Sequence, residues 1–346
     1  MKPVLLVTNH VPPERAGAFA ALHRRVPIEL AIFGGRSTHA TAGVDDPGVP
    51  HRYVRQRDIQ ALAASGTFAA VICGTAGRAA LPGAWLGARR ARTPFLLWTA
   101  LWAHPRTPAH LAGGAPLLAT LYRSADAVVA YGPHVAAFAR SRGARNVHIA
   151  PQAVDNAFWS EPVAVERQAA FIAVFLGRPS RAKGAQVLRE AWHSSGLGAT
   201  AALVLVGAGS GSHRVPAGGA VCAVGPQAPK QVRNFLAAAD VLVVPSLRTR
   251  DFREPWGLVA NEAMNQSTPI IASDEVGAVA GGLVRHERNG LVVPAGDIAE
   301  LSAALRRIHD DADLRASLGA NARRDVFPYT FDAWATGMHA ALRSLR

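Results

Sequence analysis

Two carboxylates and two cations stand out in a chain that has little acid and almost no lysine. Its 346 residues include 24 Asp plus Glu and only three lysines, Lys2, Lys183 and Lys230. Yet the segment REPWGLVANEAM (253–264) carries Glu254 and Glu262 eight residues apart, with Pro255, Trp256 and Gly257 directly after the first. Proline suits the first turn of a helix, so the spacing predicts a helix opening at Pro255. Glu254 would then stand at its entrance and Glu262 two turns on, about 12 Å away at 1.5 Å per residue. That is too far for two carboxylates to share one glycosidic bond, which needs roughly 5–9.5 Å. It is the length of a ribose–diphosphate–sugar lying along a helix. Glu254 would accept hydrogen bonds from sugar hydroxyls and Glu262 from the ribose, with the amides near Trp256, Gly257 and Leu258 facing phosphate oxygens. The plain alternative is a dipole partner at Glu254 and a solvated Glu262. The neighbours Ala260, Ala263 and Met264 argue against it at Glu262.

The cations lie in FLGRPSRAKGAQVL (175–188). An apolar run ends at Leu176, Gly177 makes a tight exit, Arg178 and Lys183 flank a short loop, and Gly184 opens a helical pattern. Two cations near a helix N-terminus suit a diphosphate, while an ordinary basic loop is the competing reading. The GxxxxGK[ST] spacing of a P-loop is absent. LVLVGAGSGSHRV (203–215) resembles a dinucleotide fingerprint only in part. Gly207, Gly209 and Gly211 follow a strand, but His213 to Pro216 do not open a helix and no acid follows at the required distance. Close approach of a ligand to the backbone at Gly207 stays open.

The elements that must carry these residues come in two series. Val4–Val7, Glu29–Phe33, Ala69–Cys73, Phe95–Thr99 and Ala127–Ala130 read as buried strands, with helical segments at Ala16–Arg25, Leu81–Arg92 and His134–Arg142. Phe171–Leu176, Ala201–Val206, Val241–Val244, Ile270–Ala272 and Leu291–Val293 form a second series, with helices over Lys183–His193, Pro229–Ala239, Trp256–Asn265 and Ile298–Arg307. Continuous Val/Ile/Leu runs between helix-length segments predict parallel sheets covered on both faces. The fold class is therefore α/β, with two doubly wound, Rossmann-like domains. Expected boundaries are 1–155, a linker over 156–168, a second domain over 169–325 and a C-terminal segment over 326–346. Such sheets bind ligands beyond the carboxyl ends of their strands, so the expected site is a central cleft that both domains face.

EPWGLVANEAM, followed by TPIIASDEVG and RNGLVVPAGD, resembles the donor half of family-4 retaining glycosyltransferases of the GT-B fold. GRPSRAKG, AADVLVVPS (238–246) and IAPQAVDNAFW (149–159) also fit family patterns, so the likeness covers roughly residues 122–310. It implies a retaining hexosyl transfer from a nucleotide-diphosphate sugar (UDP or GDP) to a hydroxyl of a glycan, glycolipid or small molecule. Arg178 and Lys183 would hold the diphosphate with the backbone of Gly257 and Leu258, Glu254 would contact the donor sugar, and Glu262 the ribose. Gly207, Gly225 and Gln227 would border the nucleotide. His104, after the run Phe95–Thr99, falls where family members keep a histidine near the donor sugar, and a hydrogen-bonded loop histidine is the alternative. Trp98 and Trp102 are either a sugar-stacking wall or core. The resemblance also implies a C-terminal helix, Phe331–Arg346, that crosses back to the first domain. No metal and no cofactor beyond the nucleotide sugar is expected.

The sequence departs from the family pattern in four places. The first loop, NHVPPERAG, has only Gly17 where glycines are usual. PQAVD replaces PNGVD, placing Ala153 at a glycine position. Ser267 stands where Gly precedes TP, and Gly281 stands where a Glu is common.

The formal charge is +13. Residues 1–150 hold 17 Lys plus Arg against 6 Asp plus Glu, a net +11, and residues 151–346 hold 20 against 18, a net +2. A basic first half draws an anionic acceptor or membrane surface, or else reflects an Arg-rich composition. AWLGARRARTP (84–94) reads either as an interfacial helix or as a solvated basic one. The opening MKPVLLVTNHVPP has too short an apolar run for a signal peptide and reads as a first strand. Cys73 and Cys222 are expected to be free and reduced. These features predict a cytoplasmic enzyme, peripheral at the inner face of the plasma membrane if it binds lipid. Two rivals remain: another GT-B nucleotide-sugar enzyme (epimerase or phosphorylase), and a basic nucleic-acid-binding protein, for which no recognised motif exists.

Overall fold

A computed structural model of the chain describes residues 2–34, 46–108, 110–165, 167, 169–211 and 221–345. The chain divides into two compact units, Met1–Asp155 with Tyr329–Arg346, and Asn156–Pro328.

The first unit contains β1 (Val4–Thr8), α1 (Pro13–His23), β2 (Ile28–Ile32), β3 (His51–Tyr53), α2 (Ile59–Ala63), β4 (Ala70–Gly74), α3 (Ala80–Arg90), β5 (Phe95–Thr99), α4 (Ala115–Ser124), β6 (Ala127–Ala130), α5 (Pro133–Ser141) and β7 (Val147–Ile149). Its strands form one parallel sheet ordered β3-β2-β1-β4-β5-β6-β7. The β-branched and leucine runs of β1, β4, β5 and β6 are buried on both faces, as a helix-covered parallel sheet requires. Phe331–Arg343 is helical and belongs to this unit. Thr330 caps it by accepting the Ala333 amide at 3.0 Å. Trp334 is fully buried there, with ring centroids 5.7 Å from both Phe19 of α1 and Trp98 of β5. Trp98 is therefore a core residue, 8% exposed, and not a sugar-stacking wall. Trp102 is half-buried and meets His134 edge to face.

The segment expected as an interfacial helix lies in α3. Leu81, Ala84 and Ala88 turn into the core, Trp85 packs against it under the Arg89 guanidinium, and Leu86 is exposed. Among the described residues no helix is long and apolar enough to cross a membrane. Neither Cys73 nor Cys222 forms a disulfide.

The second unit runs α6 (Asn156–Trp159), β8 (Phe171–Leu176), α7 (Ala185–Ser195), β9 (Ala201–Gly211), β10 (Val221–Val224), α8 (Pro229–Ala238), β11 (Val241–Val244), α9 (Val259–Asn265), β12 (Ile270–Ser273), α10 (Gly277–Ala280), β13 (Gly290–Val293), α11 (Ile298–Asp310) and α12 (Ala312–Val326). The helix after it, Phe331–Arg343, is α13. The parallel sheet is ordered β10-β9-β8-β11-β12-β13. Strand order reverses between β8 and β11, the switch point at which doubly wound sheets open a crevice. Asp297 and Asp311 cap α11 and α12 by accepting the Glu300 and Leu314 amides.

Two helix starts differ from expectation. Residues 255–258 are not helical, and α9 begins at Val259. Gly257 has φ +88°, a left-handed conformation that interrupts a right-handed helix. The helical rise used to separate Glu254 from Glu262 therefore does not apply. Lys183 lies in a single 3₁₀ turn, Arg181–Lys183, and α7 starts only after Gly184 at φ +71°. In the segment expected to link the domains, Asn156–Trp159 is helical, while Glu166 and Gln168 lie outside the described residues. So do His213 to Pro216.

Candidate functional site

The switch point of the second sheet brings together two loops distant in sequence. The loop after β8 carries Lys183 and the loop after β11 carries Glu254. Lys183 Nζ donates to Glu254 Oε2 at 2.5 Å, and Ser246 Oγ donates to the same oxygen at 3.1 Å. Glu254 is 5% exposed, while the Lys183 side chain keeps 26% exposure, so the pair is buried at its acidic end and reached by solvent at its basic end. Phe252 also faces the ammonium, its ring centroid 5.8 Å away.

Glycines make this approach possible. A Cβ on Gly184 would sit 1.9 Å from the Pro245 carbonyl oxygen, so only glycine lets the turn carrying Lys183 close on the end of β11. The Leu247 amide donates to the Ala182 carbonyl at 2.8 Å and ties the two loops. Gly277 plays the same part for Glu254. Its Cβ would lie 2.0 Å from the Pro255 carbonyl, and its amide donates to the Glu254 carbonyl at 3.1 Å. Glu254 and Val276 form a parallel bridge, and the chain bends at Pro255, so residues 254–256 are not helical. Ser273, the last residue of β12, donates to the Ser246 carbonyl at 2.5 Å. Three strand ends, those of β8, β11 and β12, thus fix one carboxylate against one ammonium.

Residues 160–325 match the family model for glycosyl transferases group 1. That span takes in nearly all of the second unit and just under half of the chain. Among curated proteins, D-inositol 3-phosphate glycosyltransferase of Salinispora arenicola is 34% identical over 116 residues, 33% of this chain and 24% of that protein. A Methanocaldococcus jannaschii protein described as an uncharacterized glycosyltransferase is 31% identical over 102 residues, 29% and 24% of the two chains. The match thus spans about a quarter of the length of these curated relatives. Among solved structures, Anabaena HepE in complex with UDP and glucose aligns with TM-score 0.77 at 17% identity, over 99% of this chain and 100% of that one. Sucrose-phosphate synthase of Thermosynechococcus elongatus aligns with TM-score 0.74 at 21% identity, over 100% and 99%. The chain has the GT-B fold of these structures.

Within the second unit the remaining candidates fall around the same sheet edge. Arg178 is exposed and forms no ion pair among the described residues. Gly207 has φ +86°, and a Cβ there would meet the Gly177 carbonyl oxygen at 2.9 Å. The Gly207 amide donates to the Gly225 carbonyl at 3.3 Å, an oxygen that also accepts from Gln227 Nε2 at 3.1 Å. Gly207, Gly225 and Gln227 therefore form one hydrogen-bonded turn beside the exit of β8. Glu262 lies in α9, half-buried, and its amide donates to the Leu258 carbonyl at 3.2 Å. Trp256 Nε1 donates to Asn261 Oδ1 at 2.8 Å inside the core and locks the turn ahead of α9.

His104 belongs to the first unit. Its Nδ1 lies 3.1 Å from His110 Nε2, and its ring packs on Phe138 with centroids 5.2 Å apart. Burial, then the nearby Arg142 and His110, hold its pKa below the ordinary 6.5. The imidazole is neutral near pH 7, with one nitrogen engaged by its histidine neighbour.

Ser246 was not singled out by sequence, although it ends the run AADVLVVPS. Its role rests on a contact with a residue eight positions on that only the β11–β12 packing creates. Ser267 has φ +61°, and this accounts for the glycine usual at that position in the family pattern.

Proposed function

We propose that the chain transfers a hexosyl group from a nucleotide-diphosphate sugar to an acceptor hydroxyl, with retention of the anomeric configuration. The observation that carries this reading is the Lys183–Glu254 pair at the β8/β11 switch point of the second unit. An ammonium held by a buried carboxylate is pre-aimed, and its solvent-facing side is available to a diphosphate. Arg178 is the second cation of the loop, and the amides of Gly257 and Leu258 are the neutral donors assigned to the phosphates. Glu254 is assigned a hydrogen bond to a sugar hydroxyl, and Glu262 is assigned to the ribose. UDP is the favoured nucleotide because HepE was solved with it; the turn of Gly207, Gly225 and Gln227 is assigned to the nucleotide. His104 is assigned a hydrogen bond to the donor sugar, as the resemblance implies. The acceptor is a glycan, glycolipid or small molecule.

In this reading the bond between anomeric carbon and phosphate oxygen breaks as the acceptor oxygen attacks the same face. The departing phosphate takes the acceptor proton, and its charge is met by Lys183, Arg178 and backbone amides. Stabilising the leaving group is the main catalytic term, so no external carboxylate base is invoked. The test is release of UDP from UDP-glucose in the presence and absence of acceptor panels. Release that rises with acceptor and yields an α-linked product supports the reading. A β-linked product removes retention, and no release with any nucleotide sugar removes transfer.

A further inference from the structure

We propose that Arg15 is the receptor for an anionic group, a phosphate monoester in chemical class, on the acceptor substrate. Only the word acceptor rests on the transfer reading above; the anion site stands on the geometry of the first unit.

Arg15 occupies the first turn of α1, and side chains of helical residues lean toward the N-terminus. Its guanidinium lies 5.5 Å from the ring centroid of Trp98 and 5.6 Å from that of Tyr131. Trp98 is near the end of β5 and Tyr131 directly follows β6, so the cation sits at the carboxyl edge of the first sheet, where doubly wound folds take ligands. The residue is 7% exposed. Nη2 donates to Gln152 Oε1, Nη1 has no acceptor, and no carboxylate pairs with it among the described residues. A buried guanidinium without a counter-charge is costly, and two ring faces and one amide oxygen offset only part of that cost. Trp98 Nε1 is likewise buried without an acceptor. The Pro12 that precedes α1 provides no side-chain cap, and Glu14 in the first turn supplies the only acid at that helix end among the described residues of α1. Charge and hydrogen-bonding capacity at this edge are therefore matched by one anion.

Two sequence departures meet here. Arg15 lies in the first loop and helix start, where NHVPPERAG lacks the usual glycines, and Gln152 lies in PQAVD, where the pattern has Asn. The two are 137 residues apart. The net +11 of residues 1–150 draws an anion toward this unit.

The test keeps the donor site filled with saturating UDP and measures the melting temperature of the whole chain against glucose 6-phosphate and against glucose. Wild type, Arg15→Met and Arg15→Lys are compared. Met keeps the aliphatic contact with the rings and removes the charge. Glucose 6-phosphate, and not glucose, is expected to raise the wild-type melting temperature. Its dissociation constant should rise at least tenfold in Arg15→Met and less in Arg15→Lys, while UDP affinity changes less than twofold. Without anion, Arg15→Met should melt no lower than wild type, since an unpaired buried charge has been removed. Co-sedimentation with phosphatidic acid vesicles, compared with phosphatidylcholine, then separates a lipid headgroup from a free sugar phosphate as the source. A wild-type protein indifferent to both phosphate sources overturns the proposal, as does equal affinity in Arg15→Met. If UDP fails to bind any of the three proteins, the donor assignment falls, and the same anion titration without UDP still decides the role of Arg15.

Discussion

Lys183 Nζ lies 2.5 Å from Oε2 of Glu254, 71 residues further along the chain, and the two leave the adjacent strands at which the second sheet reverses its order. The pair divides its labour by exposure. Glu254 is held by Ser246 and bridged to Val276, and Lys183 keeps one side toward solvent. Lys183→Ala should lower kcat by about 10²–10³-fold, the range for losing one charge-stabilising donor. The same change strands a buried carboxylate, so a fall in stability of about 1–3 kcal/mol should accompany it. In Lys183→Ala/Glu254→Gln that stability should return while activity stays low. Denaturant titration beside steady-state kinetics separates the two effects.

Gly184→Ala tests the closure that creates the pair. The position has φ +71°, and the added methyl would meet the Pro245 carbonyl at 1.9 Å. The turn must move, carrying Lys183 with it. A loss of roughly 2–3 kcal/mol is expected, with UDP affinity lowered at least tenfold. A variant with native stability and native UDP affinity would show that the turn is not constrained.

His104 gives a pH dependence of defined sign. Burial, Arg142 and His110 depress its pKa in the folded chain below 6.5, so the unfolded chain takes the proton first as pH falls. Its contribution is constant above about pH 6.5 and turns destabilising as pH drops from there to the folded value. Melting temperatures at pH 7.5 and 5.5 should fall further in wild type than in His104→Gln.

Asp325 is a control away from the proposed chemistry. Hydrogen bonding from Arg288, with help from Asn289 and Arg285 and against burial, holds its carboxyl below the ordinary 3.8. The stability it supplies is present above that pH and is lost as pH falls through the depressed value. Arg285 and Arg288 are both about half exposed, so Asp325→Asn should cost only about 1–2 kcal/mol at pH 7. UDP affinity should not change.

The strands were readable because burial on both faces writes them as uninterrupted apolar runs. Phe95–Thr99, Ala127–Ala130, Phe171–Leu176 and Val241–Val244 stand at the bounds their residue types predict. The strands missed, His51–Tyr53, Val147–Ile149 and Val221–Val224, lie at sheet edges, where a short and partly exposed strand has no such run. Pro255 misled because proline also fits a bend, and the bridge from Glu254 to Val276 overrode its helical preference. The types and order of Arg178, Lys183, Glu254 and Glu262 were legible. The direct pairing of Lys183 with Glu254 was not, since it depends on Gly184 and Gly277 packing onto carbonyls of distant loops. Arg15 and Gln152 were invisible as a pair for the same reason: only the closing of the first sheet brings residues 137 apart together.

Calorimetric titration of UDP into wild type and Lys183→Ala tests the central claim most directly, because it reads diphosphate binding without requiring the acceptor. Binding to wild type that weakens at least tenfold in Lys183→Ala is the predicted result. Equal affinity in the two proteins, or no binding to wild type by UDP or GDP, would contradict it.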